Sequence, residues 1–582
     1  MWSLGINHTL HESAVCLVRD EEIVFATAEE RLSRMKHDSG FPSRAIHAAL
    51  AAGGIDAADL TTVGFSMPRP HVALLHDLAN VARGDVARSR WRTTAPLLSF
   101  VQNSRHGGDA GRLFDVLGTA VKAKMHFFNH HLAHAWSGAI MSTDPSLAVL
   151  VMDGRGAREA TTIWQREGGA LRLVETKAFP DSLGLFYSRI TQYLGFVPLA
   201  DEWKVMGLAP FGEAGLNMDS FVSVSDDDYW VNGKQLMGAG SLDLAALEKA
   251  FGPPRKADEP IEDRHRAVAF AAQASVEQAV LAMARRTVRL TGSRRLALAG
   301  GVALNCKANG LILESGAVDR LVVQPAASDE GSALGAAVAA LLAGRGDAHF
   351  LPMMRADLGQ DLDCEEAATA LRTYKLPYVS VTDPAEAAAE RLATGKIIGW
   401  FQGRTEYGPR ALGQRSILAD PRDVRIRDRV NAAVKFRESW RPFAPSVLEE
   451  HAGEFFEGCS DSPFMIVTFK ARHDALARIP AVIHVDGTAR VQTVKRATNP
   501  LYWSLIRKFA DRTGIPVVLN TSFNLKGDPI VNGIKDAVQT FYSSGLDSMI
   551  IGPFCVDKAP HGSTVSTAQV TSVWCSPTVT RP

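Results

Sequence analysis

Twice in its first half the chain runs a short apolar segment into a hairpin and on toward a helix, and this recurrence limits the fold more than any other feature. Residues 3–5 and 11–18 are apolar enough for strands, 19–22 (Arg-Asp-Glu-Glu) form a charged tight turn, and 23–28 return as the paired strand. The same order recurs at 147–152, 161–165 and 171–176, the last two separated by Gly168-Gly169. Two similar sheet-and-helix halves folded around a cleft are therefore expected. A third loop of this kind, 296–306, ends an apolar strand in Gly300-Gly301 and opens a helix, and Asp329-Glu-Gly-Ser-Ala-Leu-Gly335 forms a further strand-to-helix junction. Glycines at such a place let the backbone approach a phosphate, and a helix N-terminus adds a favourable dipole.

Asn129-His-His-Leu-Ala-His134 sets two histidines four residues apart in a helical segment. At that spacing His130 and His134 share a face one turn apart, where two neutral imidazoles can bind one metal ion, while His131 points elsewhere. The spacing alone recurs by chance. Two further candidate ligands, Asp153 and Asp329, stand in phosphate-loop contexts and carry the argument. Two imidazoles and two carboxylates suit Fe(II), Mn(II) or Zn and disfavour Ca.

The chain has 582 residues, enough for at least two domains. Its 63 basic and 63 acidic residues balance, so no global field draws it to nucleic acid or an anionic membrane, and anion binding must come from local clusters. No apolar run reaches bilayer-spanning length, and the start lacks the build of a signal peptide. Six scattered cysteines without a CxxC pair fit reduced thiols in a cytoplasmic protein. An α/β fold is expected throughout, with one domain over 1–345, a linker to about 360, a second α/β domain over 361–562 and a flexible tail over 563–582. In the second domain, strands are expected at 397–402 and 515–520 and helices at 363–373, 384–393 and 501–513. Its positive residues fall in rigid Gly- and Pro-bounded segments: Arg410 and Arg415, Lys435 and Arg441, and Arg490. Arginine forks bind phosphate in bidentate fashion, and 520–524, Asn-Thr-Ser-Phe-Asn, offer amides and hydroxyls to orient a small planar ligand.

These motifs together resemble the ATP-dependent O-carbamoyltransferases of antibiotic tailoring and nodulation-factor modification. The resemblance spans almost the whole chain, through His11-Glu-Ser-Ala, where the family usually has HDAS, Glu29-Glu-Arg, Asn129-His-His-Leu-Ala-His, Glu202-Trp-Lys-Val-Met-Gly-Leu-Ala, Gly300-Gly-Val-Ala-Leu-Asn, Tyr407-Gly-Pro-Arg-Ala-Leu-Gly, Arg441-Pro-Phe-Ala-Pro and Asn520-Thr-Ser-Phe-Asn. It implies an N-terminal actin-like ATPase domain similar to the tRNA threonylcarbamoyl transferases and a C-terminal domain similar to threonylcarbamoyl-adenylate synthases.

By motif position, His130, His134, Asp153 and Asp329 would hold the metal, Fe(II) first, with Mn, Zn or Mg as alternatives. Lys36, Lys204, Gly300, Gly301 and Asn305, with Asp153 and Gly154, would line the ATP site. Arg410, Arg415, Lys435, Arg441, Arg490, Ser522 and Asn524 would hold carbamoyl phosphate. His11 is the candidate base for transfer to a small-molecule hydroxyl acceptor, with Lys36 and His37 in the same early segment. Acceptor choice is expected to depend on residues 68–112. Neither a nucleic acid nor a membrane is an expected partner, and a homodimer is an admissible assembly. The competing readings are a tRNA-modifying threonylcarbamoyl transferase, which would need a basic RNA-binding face, and a non-catalytic ATP-binding protein of the actin-like class.

Overall fold

The computed structural model describes residues 1–9, 11–68, 108–237, 244–345, 352–438 and 440–558. The expected tail and most of the expected acceptor segment, 69–107, lie outside them. The chain divides into two compact units. The first holds residues 1–358 with 407–409 and 466–468; the second holds 359–406, 410–465 and the remainder from 469.

The first unit contains two five-stranded sheets. One is built from β1 (Trp2–His8), β2 (Ser13–Arg19), β3 (Glu22–Ala28), β4 (Leu60–Phe65) and β5 (Lys124–Phe127) in the order β3-β2-β1-β4-β5. The other uses β6 (Ala148–Met152), β7 (Glu159–Glu167), β8 (Ala170–Ala178), the strand Arg295–Ala299 and the strand Arg320–Val323. Its order is Arg320–Val323, Arg295–Ala299, β6, β7, β8. In each sheet the first strand pairs antiparallel with the second, the second antiparallel with the third, and the remaining two add in parallel on the first strand's other side. The two halves thus share one topology, the duplicated architecture of the actin-like ATPases. Parallel addition needs crossover connections, which is why helices follow β4 and the strand Arg295–Ala299.

Local sequence explains the details. The turn at Asp20 adopts φ 52, which an Asp tolerates, and the β7–β8 turn uses Gly168 at φ 60. Residues 9, 11 and 12 lie outside β1 and β2, so His11 stands beyond the end of the sheet instead of on a strand. After Gly301 the chain makes a single 3-10 turn, Gly301–Leu304, before the helix Cys306–Glu314 begins.

The helix Asp329–Arg345 is buried through nearly its whole length because its sequence is almost all Ala, Gly, Ser and Leu. It crosses the first sheet where Gly5 of β1 and Gly64 of β4 remove the side chains that would collide with the Ala333 and Ala336 carbonyls. It also meets the helix His130–Ala139 at Gly335, where a Cβ would fall inside the van der Waals radius of the Ala133 carbonyl oxygen. The helix Asp263–Thr291 is long and apolar enough to cross a membrane, which the sequence reading did not anticipate. Its apolar 18-residue stretch is 67% buried within the protein, as that of a core helix is.

The second unit is a mixed eight-stranded sheet. Its strands run in the order Val379–Ser380, Phe554–Asp557, Ser548–Ile551, Ile398–Phe401, Arg415–Ala419, Val517–Ser522, Ala444–Leu448 and Gln492–Val494. Helices Pro384–Ala393 and Pro500–Thr513 start at Asp383 and Asn499, whose side chains accept from the first-turn N–H groups of Glu386 and Tyr502. The helix Cys364–Thr373 is capped by Asp363 in the same way. The five described cysteines are free thiols.

Replacing Gly335 by Ala should destabilise the protein by about 1–3 kcal/mol in denaturant unfolding, because two packed helices cannot separate without losing core contacts. Gly453→Ala, where an added Cβ meets nothing within 4 Å, should stay within about 0.5 kcal/mol of the parent.

Candidate functional site

The helix His130–Ala139 begins at Asn129, whose side chain accepts from the Leu132 N–H at 3.2 Å and donates to Glu159 Oε1 at 2.9 Å. That cap fixes the first turn, and with it the direction of His130. His130 and His134 are fully buried, with their Nε2 atoms 3.0 Å apart. Asp153 follows β6, and its Oδ2 lies 3.5 Å from His130 Nε2. Asp329 opens the buried helix described above and brings Oδ1 to 3.2 Å from His130 Nε2 and 3.4 Å from His134 Nε2. One ligand atom from each of the four residues lies within 4.8 Å of the others. Two imidazole nitrogens facing each other, flanked by two carboxylates, need a proton or a cation between them. The nitrogen-and-oxygen donor set fits a divalent first-row transition ion.

The electrostatics follow from this arrangement. Burial alone would lower His130, but the charge of Asp329 and hydrogen bonds to Asp153 and Asp329 outweigh it and raise the group to about 10. Asp153 and Asp329 are both held below the usual carboxylate range: burial opposes this, and the histidines prevail. His131 faces away, with Nδ1 3.0 Å from Thr162 Oγ1, and burial pushes it down to about 3, so it stays neutral.

The glycine turn supports this group. Gly301 donates its N–H to Asp153 Oδ1 at 2.9 Å, and Gly300 takes φ 89 while lying directly against the Met152 carbonyl. Gly154 accepts from Ser182 Oγ at 2.7 Å. His11 Nε2 lies 3.3 Å from Asp329 Oδ2, and the side chain is 35% exposed, so it stands at the rim of the group. Glu12 extends the rim: Ser328 Oγ donates to its Oε2 at 2.8 Å, and His37 Nδ1 lies 3.8 Å from its Oε1 and is raised chiefly by that partner. Lys36 is exposed next to His37. Glu330, beside Asp329, is pushed up to about 8 by burial and by Glu12.

Two further expected nucleotide contacts have partners within the protein. Lys204 pairs with Asp201 at 2.8 Å and lies over the rings of Phe196 and Trp203. Asn305 caps the helix Cys306–Glu314 and exchanges two hydrogen bonds with Gln273, at 3.0 and 3.1 Å. Both side chains have structural partners.

In the second unit, Lys435 Nζ reaches the Ser522 carbonyl, Ser522 Oγ at 3.2 Å and Asn524 Oδ1 at 2.9 Å, so these three expected residues form one group. Arg441 and Arg490 lie near a third cation, Arg437, which the sequence reading passed over although it sits inside the segment from Lys435 to Arg441. Burial and the charges of Arg441 and Arg490 press Arg437 well below the ordinary arginine value, with Glu438 opposing. Glu438, whose Oε2 lies 3.6 Å from Arg441 Nη1, offsets part of this repulsion. Arg415 departs from expectation. It is fully buried, donates to the backbone carbonyls of Gln402 and Gln414, and stacks 3.6 Å from the Phe401 ring centroid. Its guanidinium holds the interior of the sheet and is not available to a ligand.

Residues 3–338 match the model described as Carbamoyltransferase N-terminus, and residues 389–558 match Carbamoyltransferase C-terminus. The chain belongs to the carbamoyltransferase family. It is 37% identical over 572 residues to nodulation protein NolNO of Sinorhizobium fredii, covering 96% of this chain and 80% of that protein. It is 42% identical over 445 residues to nodulation protein NolO of Bradyrhizobium diazoefficiens, covering 74% and 79%. It is 28% identical over 556 residues to 3'-hydroxymethylcephem-O-carbamoyltransferase of Streptomyces clavuligerus, covering 93% and 96%.

The His130 value sets the sign of a pH dependence. From 6.5 in the unfolded chain to about 10 when folded, the bound proton stabilises the chelator-treated carbamoyltransferase fully below about pH 6.5, and this is lost as pH rises toward 10. A divalent ion must displace that proton, so its affinity should rise over the same window. Melting curves from pH 6.5 to 9.5 and metal content by elemental analysis check both. His130→Ala should flatten the slope and remove the metal.

Proposed function

We propose that this carbamoyltransferase makes carbamoyl-adenylate from carbamoyl phosphate and ATP and transfers the carbamoyl group to a hydroxyl of a small molecule. The observation that carries this reading is the pair of ligand-demanding groups, one in each unit: four convergent metal-type ligands in the first and a cluster of repelling arginines in the second. The printed name of the Streptomyces relative, an O-carbamoyltransferase acting on a hydroxymethyl group, supports the acceptor class.

Three bond changes make up the reaction. Water cleaves carbamoyl phosphate to carbamate and phosphate. A carbamate oxygen then attacks the α-phosphorus of ATP and pyrophosphate leaves. The acceptor oxygen finally attacks the carbamoyl carbon, its proton passes to a base, and AMP leaves. Arg437, Arg441 and Arg490 hold the phosphate of carbamoyl phosphate through charge-assisted bonds, and Lys435, fixed by Ser522 and Asn524, adds a point charge. In the first unit, Asp153 and Gly301 keep the strand-to-helix turn closed, and Gly300 lets backbone approach the nucleotide. A divalent ion, Fe(II) first, bound by His130, His134, Asp153 and Asp329, would supply positive charge where carbamate meets phosphate, the main barrier in such transfers. His11 is the base: Asp329 Oδ2 orients the ring through Nε2, which leaves Nδ1 to take the acceptor's proton.

Mixing the protein with ATP and carbamoyl phosphate should release pyrophosphate only when both are present, and no release would sink the reading. Arg441→Ala and Arg490→Ala each remove an anchor of about 1.5–3 kcal/mol and should reduce carbamoyl-phosphate-dependent pyrophosphate release at least tenfold while ATP still binds. Equal carbamoyl phosphate affinity in both variants would place the anion site elsewhere. His11→Ala should keep pyrophosphate release and lose transfer from synthetic carbamoyl-adenylate. The reverse pattern would assign His11 to the nucleotide and make His37 the next candidate base.

A further inference from the structure

Arg410 stands at the head of a turn that is held with unusual completeness. Glu406, four residues earlier and 3% exposed, turns one carboxyl oxygen, Oε1, to three backbone donors: the N–H groups of Leu412 at 2.8 Å, Gln414 at 2.8 Å and Arg415 at 3.2 Å. Asn520 Nδ2 donates to the Ala411 carbonyl at 3.1 Å, Gln492 Nε2 to Leu412 at 2.8 Å, Trp400 Nε1 to Gly413 at 2.9 Å and the Gln402 N–H to Gln414 at 2.9 Å. Gly413 donates its own N–H to Ser416 Oγ at 3.1 Å and takes φ 101 against the ring of Tyr502. Every peptide group from the Ala411 carbonyl to the Arg415 N–H therefore has a fixed partner.

We propose that Glu406 is a positioning residue for Arg410, fixing the turn from which that guanidinium reaches the anion. Burying a carboxyl group is costly, and here the second oxygen, Oε2, is buried with no hydrogen-bond partner among the described residues. Its charge supports the buried Arg415, but that alone would not need this arrangement of three backbone N–H groups aimed at the other oxygen. A bidentate arginine does need it, because a shift of its Cα by about 1 Å misaligns both arms of the fork. Three N–H groups converging on one oxygen act as a clamp that leaves the turn a single conformation.

This inference rests on the anion-site reading given above, and the experiment separates the two. Carbamoyl phosphate binding to the full chain is measured by calorimetry for the parent, Arg410→Ala, Glu406→Ala, Glu406→Asp, Glu406→Gln and the Glu406→Ala/Arg410→Ala double variant. Arg410→Ala should weaken binding about tenfold, and Glu406→Ala and Glu406→Asp by a similar factor, since Asp keeps the charge but falls one carbon short of the three donors. Glu406→Gln should stay within about threefold, because Oε1 still accepts and Oε2 has no partner to lose. The double variant should bind no more weakly than Arg410→Ala alone. Additive losses, or parent-like binding by both Glu406→Ala and Glu406→Asp, would overturn the positioning role. If Glu406→Ala does not fold, Glu406→Asp decides by the same comparison. Absence of binding by the parent would instead overturn the anion-site reading, and the inference with it, whereas no loss in Arg410→Ala would overturn the inference alone.

Discussion

Everything chemical in the first unit depends on how closely the helix Asp329–Arg345 approaches its neighbours. Asp329 reaches His130 and His134 only because the helix behind it lies against the carbonyl face of the helix His130–Ala139 at Gly335 and against the sheet at Gly5 and Gly64. Small residues bring backbones together, and the contact fixes the axial position of Asp329 to within the tolerance that shared ligands require. The helix gains little from amphipathic patterning, since it is apolar all round; its place is set by what is missing from its side chains.

Both candidate sites store electrostatic demand in a fixed frame. In the first unit, two histidines and two carboxylates face one point, and in the second three guanidinium groups press on one another beside Lys435. Folding pairs these charges only in part, the carboxylates with the histidines and Glu438 with Arg441, and each side chain is tied by a cap, a turn or a helix packed from behind. Asn129 does this for the histidine helix, Gly301 for Asp153, and Ser522 with Asn524 for Lys435. A ligand of the opposite charge gains the whole interaction without reorganising the site, which is the physical content of preorganisation.

Much of this was legible in the sequence. The His-x-x-x-His spacing places two imidazoles on one helix face without knowledge of the fold, and a hairpin written twice gives a duplicated sheet, because both depend on local periodicity. The caps Asp363 and Asp383 are equally local. Arg437, Glu12 and Glu330 were not legible as parts of a site. Their importance comes from neighbours far away in sequence: Arg490 stands 53 positions from Arg437, and Glu330 is raised by burial and by Glu12. Residue type says that a group can carry charge; only tertiary packing says which other charge it will feel.

Arg410 and Arg415 show why an arginine in a rigid setting is ambiguous until the backbone is placed. Five positions apart in one Gly- and Pro-bounded segment, they present the same sequence evidence for anion binding. Yet Arg415 points into the sheet, where it donates to backbone carbonyls and stacks on the Phe401 ring, and burial lowers it to about 10. The difference follows from register. Arg415 begins the strand Arg415–Ala419, whose residues are all buried, whereas Arg410 precedes the turn and is half-buried. An interior guanidinium is tolerated because the turn offers carbonyls that accept from it and the Glu406 charge offsets its burial, and in meeting them Arg415 stiffens the segment that carries its neighbour. Rigidity around an arginine thus has two sources, and the hydrogen-bond partners of the guanidinium, not its charge, distinguish them.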